Sequence, residues 1–409
     1  MTDNVVKGFA ATYMNSHEHA ISDKALPCSP EPGFNMAECN SWVEIDLAAF
    51  ERNIRTFQRA IGGQSKICAV LKADAFGHGI RHLMPTIIKT GLAYIGIADN
   101  REARVARASG FGGALIRVRA ATLQEIDAAL DENLGVEELV GNAEIAHAAG
   151  RLAQSYGRTL RVHLAFNSGG MSGNGIEMST QQGRSDSLAL SKDAYLTIVG
   201  VMTHFAVEEE EEIRRALEVF KTDLDWFFKN SKVEQNAVIL HSASSFPALN
   251  VPESRMDMVR PGAVLFGDSM GAHTEYLRVM QFKSRVVSVN SFPAGNTVGY
   301  DKTITLRRDS KLAYVAVGYF NGYRRVFSNK GFVLVSGQRV PVIGKVSMNS
   351  LTVDVTDCPH VNPGDEVVLF GRQGDEEITQ AESEAINYGD ALSELYIGWG
   401  NSNPKTFKY

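Results

Sequence analysis

The sequence predicts an α/β protein with an N-terminal (β/α)8, TIM-like barrel over residues 41–279 and a C-terminal antiparallel β domain over 280–409. Two observations carry this expectation. Up to residue 280, short apolar runs alternate with amphipathic stretches, about eight strand–helix units in some 230 residues, which fits a closed barrel better than an open sheet. Beyond 280 the texture changes to β-rich runs separated by turn residues such as Asn329-Lys330-Gly331 and Ser336-Gly337.

Residues 1–40 mix Pro, Ser, Asn and Glu without a period and read as an N-terminal arm. VEIDL then opens the periodic part, followed by the helical LAAFERNIRTFQRAI. ICAVLK precedes IRHLMPTIIKTG, YIGIAD precedes NREARVARASG, LIRVRA precedes TLQEIDAALDENL, and EELV precedes NAEIAHAAGRLAQSYG. LRVHLAF leads into a loop. TIVGVMTHFA is followed by a helix whose acidic start, Glu208 to Glu212, suits the N-terminal end of a helix dipole. AVILHSAS and MDMVRPGAVLFG close the series. FKSRVVSVNSF, KLAYVAVGYF, GFVLVSGQRVPVIGKVS, LTVDVT and DEVVLFG supply the strands of the second domain.

Composition excludes several classes. A formal charge of −6 argues against nucleic acid as a general partner. The four cysteines, at 28, 39, 68 and 358, have neither CxxC spacing nor the density of a disulfide framework, so no metal is expected. The first 40 residues lack a basic start followed by an apolar core, so no secretory signal is expected. No apolar run approaches the roughly 18 residues of a membrane span. The expected compartment is cytoplasmic, with the periplasm as the alternative if a leader has been removed.

Lys72 stands out. In AVLKADAFGHGI it directly follows a short apolar run, and lysine is seldom fully buried without a partner. At the mouth of a buried strand it reads either as a snorkelling side chain or as a reactive amine suited to Schiff-base chemistry.

Taken in order and spacing, AVLKADAFGHG, VMTHFA, HSASSF, MDMVRPGAVLFG, NTVGYDKT, VGYFNGYRR, GKVSMNSLTVDVTD and LYIGWGNSNP make residues 40–400 resemble the alanine racemase family. These are fold-type III enzymes that use pyridoxal 5'-phosphate (PLP). LAFNSGGMSGNG, VSMN and the ending WGNSNP are more similar to the broad-specificity amino acid racemases than to strict alanine racemases. The resemblance implies racemisation by two bases on opposite faces of a planar carbanion, in a homodimer with shared active sites. It implies that Lys72 holds PLP and that Tyr300, from the β domain of the other subunit, is the second base. Arg260 then faces the pyridine nitrogen and, because arginine keeps its proton, leaves that nitrogen unprotonated and the cofactor a weaker electron sink. His204 supports Arg260 by hydrogen bonding, although its position equally suits a satisfied core histidine. Ser245 and the backbone of Gly262 and Ala263 hold the phosphate, with Tyr396 reaching the same group. Met348 meets the substrate carboxylate through its backbone N–H, and Tyr319 and Arg325 line the approach to the site.

Three departures from the family pattern bear on function. Phe76 replaces a tyrosine, Asn321 an aspartate, and Gly173 an arginine that contacts the PLP phenolic oxygen and the substrate carboxylate. Ala165 stands where strict alanine racemases often carry a carbamylated lysine, so Ala165, Asn167 and Gly173 imply a wider pocket for larger substrates. Arg117 and Arg119 are the candidates to compensate for Gly173. Cys68 matches one half of a cysteine pair found in many broad-specificity relatives, and Ala93 stands at the other half. These departures set a PLP-dependent amino acid racemase against a low-activity PLP-binding or regulatory protein on the same scaffold. Tyr300 favours the racemase, since a pure binder has no use for it, and it disfavours a barrel-type PLP lyase or decarboxylase. The partners expected are a small amino acid and a second copy of the chain, with neither nucleic acid nor membrane.

Overall fold

The structure is a computed structural model that describes residues 38–268, 273–389 and 391–409. The expected arm therefore lies outside the described residues except for 38–40. The described chain begins with β1 (Ser41–Asp46) and α1 (Leu47–Ile61), whose first turn is capped by Asp46 Oδ1 accepting from the Ala49 N–H at 2.8 Å.

The barrel strands are β2 (Lys66–Val70), β3 (Tyr94–Ile97), β4 (Ala114–Arg117), β5 (Val136–Val140), β6 (Leu160–Ala165), β7 (Leu196–Met202), β8 (Ile239–His241) and β9 (Met258–Val259). They form one parallel sheet in the order β8-β7-β6-β5-β4-β3-β2-β9. Two backbone hydrogen bonds close the remaining gap, Asp257 N–H to Leu240 O at 3.0 Å and Arg260 N–H to Ala243 O at 2.9 Å. Between the strands run α2 (Ile80–Lys89), α3 (Asn100–Ala108), α4 (Leu123–Asp131), α5 (Ala143–Ser155), α6 (Gln181–Leu190), α7 (Glu210–Asn230) and the short α8 (Ser245–Asn250). Their starts are written locally: Asp99 with Glu102 and Thr122 with Glu125 form capping boxes, and Glu209 caps the acidic first turn of α7.

The second domain contains β10 (Met280–Phe292), β11 (Thr297–Val298), β12 (Ile304–Thr305), β13 (Ser310–Val315), β14 (Phe332–Val335), β15 (Gln338–Ile343), β16 (Leu351–Asp354), β17 (Glu366–Gln373), β18 (Glu376–Ile378) and β19 (Lys405–Lys408). Two helices, α9 (Gln380–Ile386) and α10 (Leu392–Ser402), precede β19. The large sheet has the order β18-β17-β14-β15-β16-β13-β10-β1-β19, and β11 and β12 form a separate hairpin.

One element departs from expectation. VEIDL was expected to open the barrel, but β1 pairs antiparallel with β10 and parallel with β19, inside the C-terminal sheet. An apolar period identifies a strand without naming its neighbour, and the two-residue β9 completes the barrel instead. The domains consequently share a core: a single apolar cluster runs from Phe50 and Phe57 on α1 to Phe282, Val333 and Phe370 in the sheet. No helix among the described residues is long and apolar enough to cross a membrane.

Candidate active site at the barrel mouth

At the end of β2 the Val70 and Leu71 N–H groups bond to Pro261 O (2.8 Å) and Gly96 O (2.7 Å), so Lys72 emerges at the C-terminal mouth of the barrel. Ala73, Asp74, Ala75 and Phe76 then take four successive left-handed conformations, with φ of 54–56°. Such geometry costs about 1–2 kcal/mol per residue and persists only where its surroundings enforce it. Here Glu102 Oε1 accepts from the Asp74 N–H at 3.0 Å, and Asp74 Oδ1 accepts from the Ile80 N–H at 2.9 Å.

Lys72 lines a cavity of about 570 Å³ with His204, Ser245, Arg260, Gly262 and Ala263. Four separate segments of the chain thus converge on one space. At one side of it Ser245 Oγ accepts from the Gly262 N–H at 3.0 Å. A Cβ at Gly262 would lie 3.0 Å from the Phe76 ring and 3.5 Å from Val70, so glycine keeps free a hollow that a side chain would fill. Phe76 packs on Phe266 with ring centroids 5.1 Å apart. A hydroxyl, backbone groups and an unfilled hollow at one edge of the cavity, with a guanidinium lining it too, suit a phosphate-bearing aromatic cofactor whose aldehyde would meet Lys72.

Arg260 is the hub of the polar wall. Its Nη1 donates to His241 Nδ1 at 2.8 Å, and its Nη2 to His204 Nδ1 at 3.3 Å, Thr203 O at 3.0 Å and Ser242 O at 3.1 Å. Because His241 accepts at Nδ1, its proton lies on Nε2 and is donated to His163 Nδ1, 2.8 Å away. His163 then donates from Nε2 to Glu137 Oε2 at 2.9 Å, and Arg161 closes on the same carboxylate. One direction of donation runs from the cavity to the barrel interior, so every tautomer along it is set.

Burial, then the Arg260 charge, hold His241 well below the usual histidine range. Burial, Arg260 and Lys72 bring His204 down to about 4, so it too is neutral at pH 7. Burial lowers Arg260 to about 10, which leaves it cationic at neutral pH. Burial would raise Glu137, but its bonds from His163 and Arg161 keep it below the ordinary value.

Among the other expected residues, Asn167 and Gly173 line the cavity, while Ala165 lies buried beside Leu139 and Met202, both of which line it. Tyr300 and Met348 do not reach it: they sit in the β domain, 67% and 54% exposed, with Tyr319 and Phe320 exposed as well. Tyr396 corrects an expectation. It does not line the cavity but is buried on α10 against the rings of His78, Phe370 and Trp399, its hydroxyl unpaired among the described residues.

The departures have local explanations. Asn321 Oδ1 accepts from the Gly318 N–H at 3.1 Å, and its Nδ2 donates to Asn403 Oδ1 at 3.4 Å, a bond no carboxylate could donate. Arg117 is wholly buried, with both Nε and Nη2 on Glu138 and another bond to Asn100 Oδ1 at 2.7 Å, so it is fully committed. Arg119 also lines the cavity and, among the described residues, is held by half-buried Glu125 and the Ala120 carbonyl. Cys68 is buried, which pushes its thiol up to about 12. His163, His241 and Glu137 were not singled out from the sequence, although each is a polar residue inside an apolar strand.

Family models reproduce both halves of this architecture: residues 45–270 match the alanine racemase N-terminal domain and residues 279–407 its C-terminal domain. The chain belongs to the alanine racemase family. Within it, the chain is 58% identical over 374 residues to the broad specificity amino-acid racemase of Pseudomonas taetrolens, covering 91% of each chain. It is 45% identical over 366 residues to the lysine racemase of Proteus mirabilis, covering 90% of this chain and 89% of that one. The alanine racemase of Bartonella henselae, solved with covalently bound pyridoxal phosphate, superposes with a TM-score of 0.80 at 22% identity, over 90% of this chain and 100% of that one.

Proposed function

We propose that this chain is a PLP-dependent amino acid racemase of broad or altered specificity, working as a homodimer with shared active sites. The observation that carries it is the convergence of Lys72, Ser245, Arg260, Gly262 and Ala263 on one cavity, in a chain whose similar relatives are named amino-acid and lysine racemases. When bound, PLP supplies the electron sink that acidifies the substrate Cα–H.

The chain's residues then divide the work. Ser245 Oγ and the backbone of Gly262 and Ala263 hold the phosphate. Arg260 keeps its protons and so would protonate nothing on a pyridine ring facing it, while His241, held neutral, holds the guanidinium in place. Lys72 Nζ takes or returns the α-proton on one face, and the Tyr300 hydroxyl does so on the other. Exposed Tyr300 and Met348 accord with service in a neighbouring subunit's site, where the Met348 N–H would meet the substrate carboxylate. With Gly173 bearing no side chain and Arg117 committed to Glu138, Arg119 is the candidate cation for negative charge on the cofactor, and the vacated space suits a long substrate side chain beside Asn167. A low-activity binding protein on this scaffold is disfavoured, because it would need neither Tyr300 nor an arginine set so rigidly.

The test is a panel of L-amino acids incubated with the purified protein and PLP, resolved by chiral chromatography. D-isomers from basic or small side chains are expected. A bound cofactor chromophore with no inversion of any substrate would establish the binding protein instead.

A further inference from the structure

We infer that Lys405, on the last strand of the C-terminal sheet, is a positioning residue for Lys72. This rests on the reading of Lys72 as the cofactor lysine. The turn that follows Lys72 is packed at its end, where Ala75 and Phe76 are buried in the core, but open at its start: a second cavity of about 370 Å³ is lined by Lys72, Ala73, Asp74, Glu102 and Asn401. Left-handed Ala73 and Asp74, beside that cavity, cannot hold their own geometry. Glu102 supplies support from α3, and the rest comes from α10 and β19.

There the contact is close. A Cβ at Gly400 would run into the Gly77 carbonyl, and one at Gly77 would lie 2.5 Å from Tyr396 O, so the two backbones touch through glycines. Lys405 pins this contact. Its side chain is nearly wholly buried, its Nζ donates to Gly400 O at 2.7 Å, and it pairs with Asp74 Oδ2 at 3.5 Å. Its stem passes under the loop, since a Cβ at Gly79 would meet Lys405 Cδ at 3.2 Å.

Asp74 is thereby fixed from three directions: Lys405 on Oδ2, the Ile80 N–H on Oδ1, and Glu102 on its own N–H. Lys405 itself cannot shift, because β19 is in parallel register with β1, Val43 opposite Lys405. A buried ammonium deprived of its partner is costly, and of the two it is Lys405 that is buried, with Asp74 half-buried. The pair therefore ties the turn two residues beyond Lys72 to the nine-stranded sheet, which lies outside the barrel.

Lys405→Met keeps the stem and removes the charge; Lys405→Arg restores a cation; Asp74→Asn retains the Oδ1 acceptor and removes the other half of the pair. His82→Ala is the control, because the His82 ring stacks on Phe407 of the same strand at 3.9 Å and, though near enough to sense the charges of Asp74 and Lys405, forms no hydrogen bond or ion pair with either among the described residues. Each protein is titrated with PLP, and cofactor affinity and the visible absorption of the bound cofactor are recorded beside the melting temperature. Lys405→Met and Asp74→Asn should weaken cofactor binding by roughly tenfold or more and alter the visible band, with Lys405→Arg recovering both and His82→Ala changing neither. Should Lys405→Met fail to fold, Asp74→Asn alone decides. Wild-type affinity and spectrum in the folded variants would overturn the proposal, as would an equal change in His82→Ala or no recovery in Lys405→Arg. A wild-type protein that takes up no PLP on Lys72 would instead overturn the reading of Lys72 itself.

Discussion

Gly173→Arg tests whether the missing arginine limits the reaction. The position has room: a Cβ built there finds nothing nearer than Met171 O at 3.9 Å, and its backbone is not left-handed. The substitution should therefore change stability by no more than about 0.5 kcal/mol. A guanidinium reaching the cofactor's phenolic oxygen adds a charged hydrogen bond worth about 1.5–3 kcal/mol, which corresponds to roughly tenfold to a hundredfold in rate if it acts only in the transition state. Arg119 already lines the cavity, so the gain should fall at the lower end and grow when Arg119 is replaced by Ala. The assay is kcat on L-alanine and L-lysine by chiral chromatography, with PLP occupancy measured in the same samples. Alanine turnover should rise about tenfold while lysine turnover falls, its side chain losing the vacated space. An unchanged or lower kcat on both substrates at full occupancy would refute the reasoning, leaving glycine as the working solution for a bulky substrate.

Tyr300→Phe should leave PLP bound and suppress inversion, and Cα–H exchange in D2O should become strongly one-sided between enantiomers; equal residual exchange from both would contradict the two-base assignment. Mixing Lys72→Ala chains with Tyr300→Phe chains should restore one intact site per heterodimer, and persistent inactivity in verified heterodimers would argue against shared sites. Acid should destabilise the fold through its buried neutral histidines, His78 held at about 3 and His241 well below its usual range. Unfolding returns both to about 6.5, so the unfolded chain binds more protons and stability falls as pH drops below that value. By pH 5 His78 accounts for a loss of about 2 kcal/mol relative to pH 7, which is absent in His78→Gln, and His241 adds to the loss in the same direction. Denaturant titrations at the two pH values check this, and equal slopes for wild type and His78→Gln would contradict it.

The alternation of strands and helices was legible because two periods, 2 and 3.6, leave different apolar patterns. Partner choice was not. Nothing in VEIDL distinguishes a barrel strand from one lying between β10 and β19, and the two-residue β9 is too short to carry a period. Lys72, Arg260, Ser245 and Gly262 were legible through their motifs, and they share the cavity. The histidine wire from His241 to Glu137 was hidden, since it joins three strands far apart in sequence. Besides polar residues inside apolar strands, Gly200 in TIVGVM was a trace of it, because any Cβ there would collide with the His163 ring. Tyr396 was misplaced by motif reading, yet its helix carried the correction: Leu392, Leu395, Tyr396 and Trp399 recur at helical spacing and form a buried stripe.

The most direct measurement of the central claim is chemical. Borohydride added to the PLP-loaded protein reduces the bond between cofactor and lysine, and peptide mapping by mass spectrometry then finds the modified residue. The label is expected on the peptide containing Lys72 and to be absent from a Lys72→Ala variant. A label on any other lysine, or none from a protein that has bound PLP, would contradict the account.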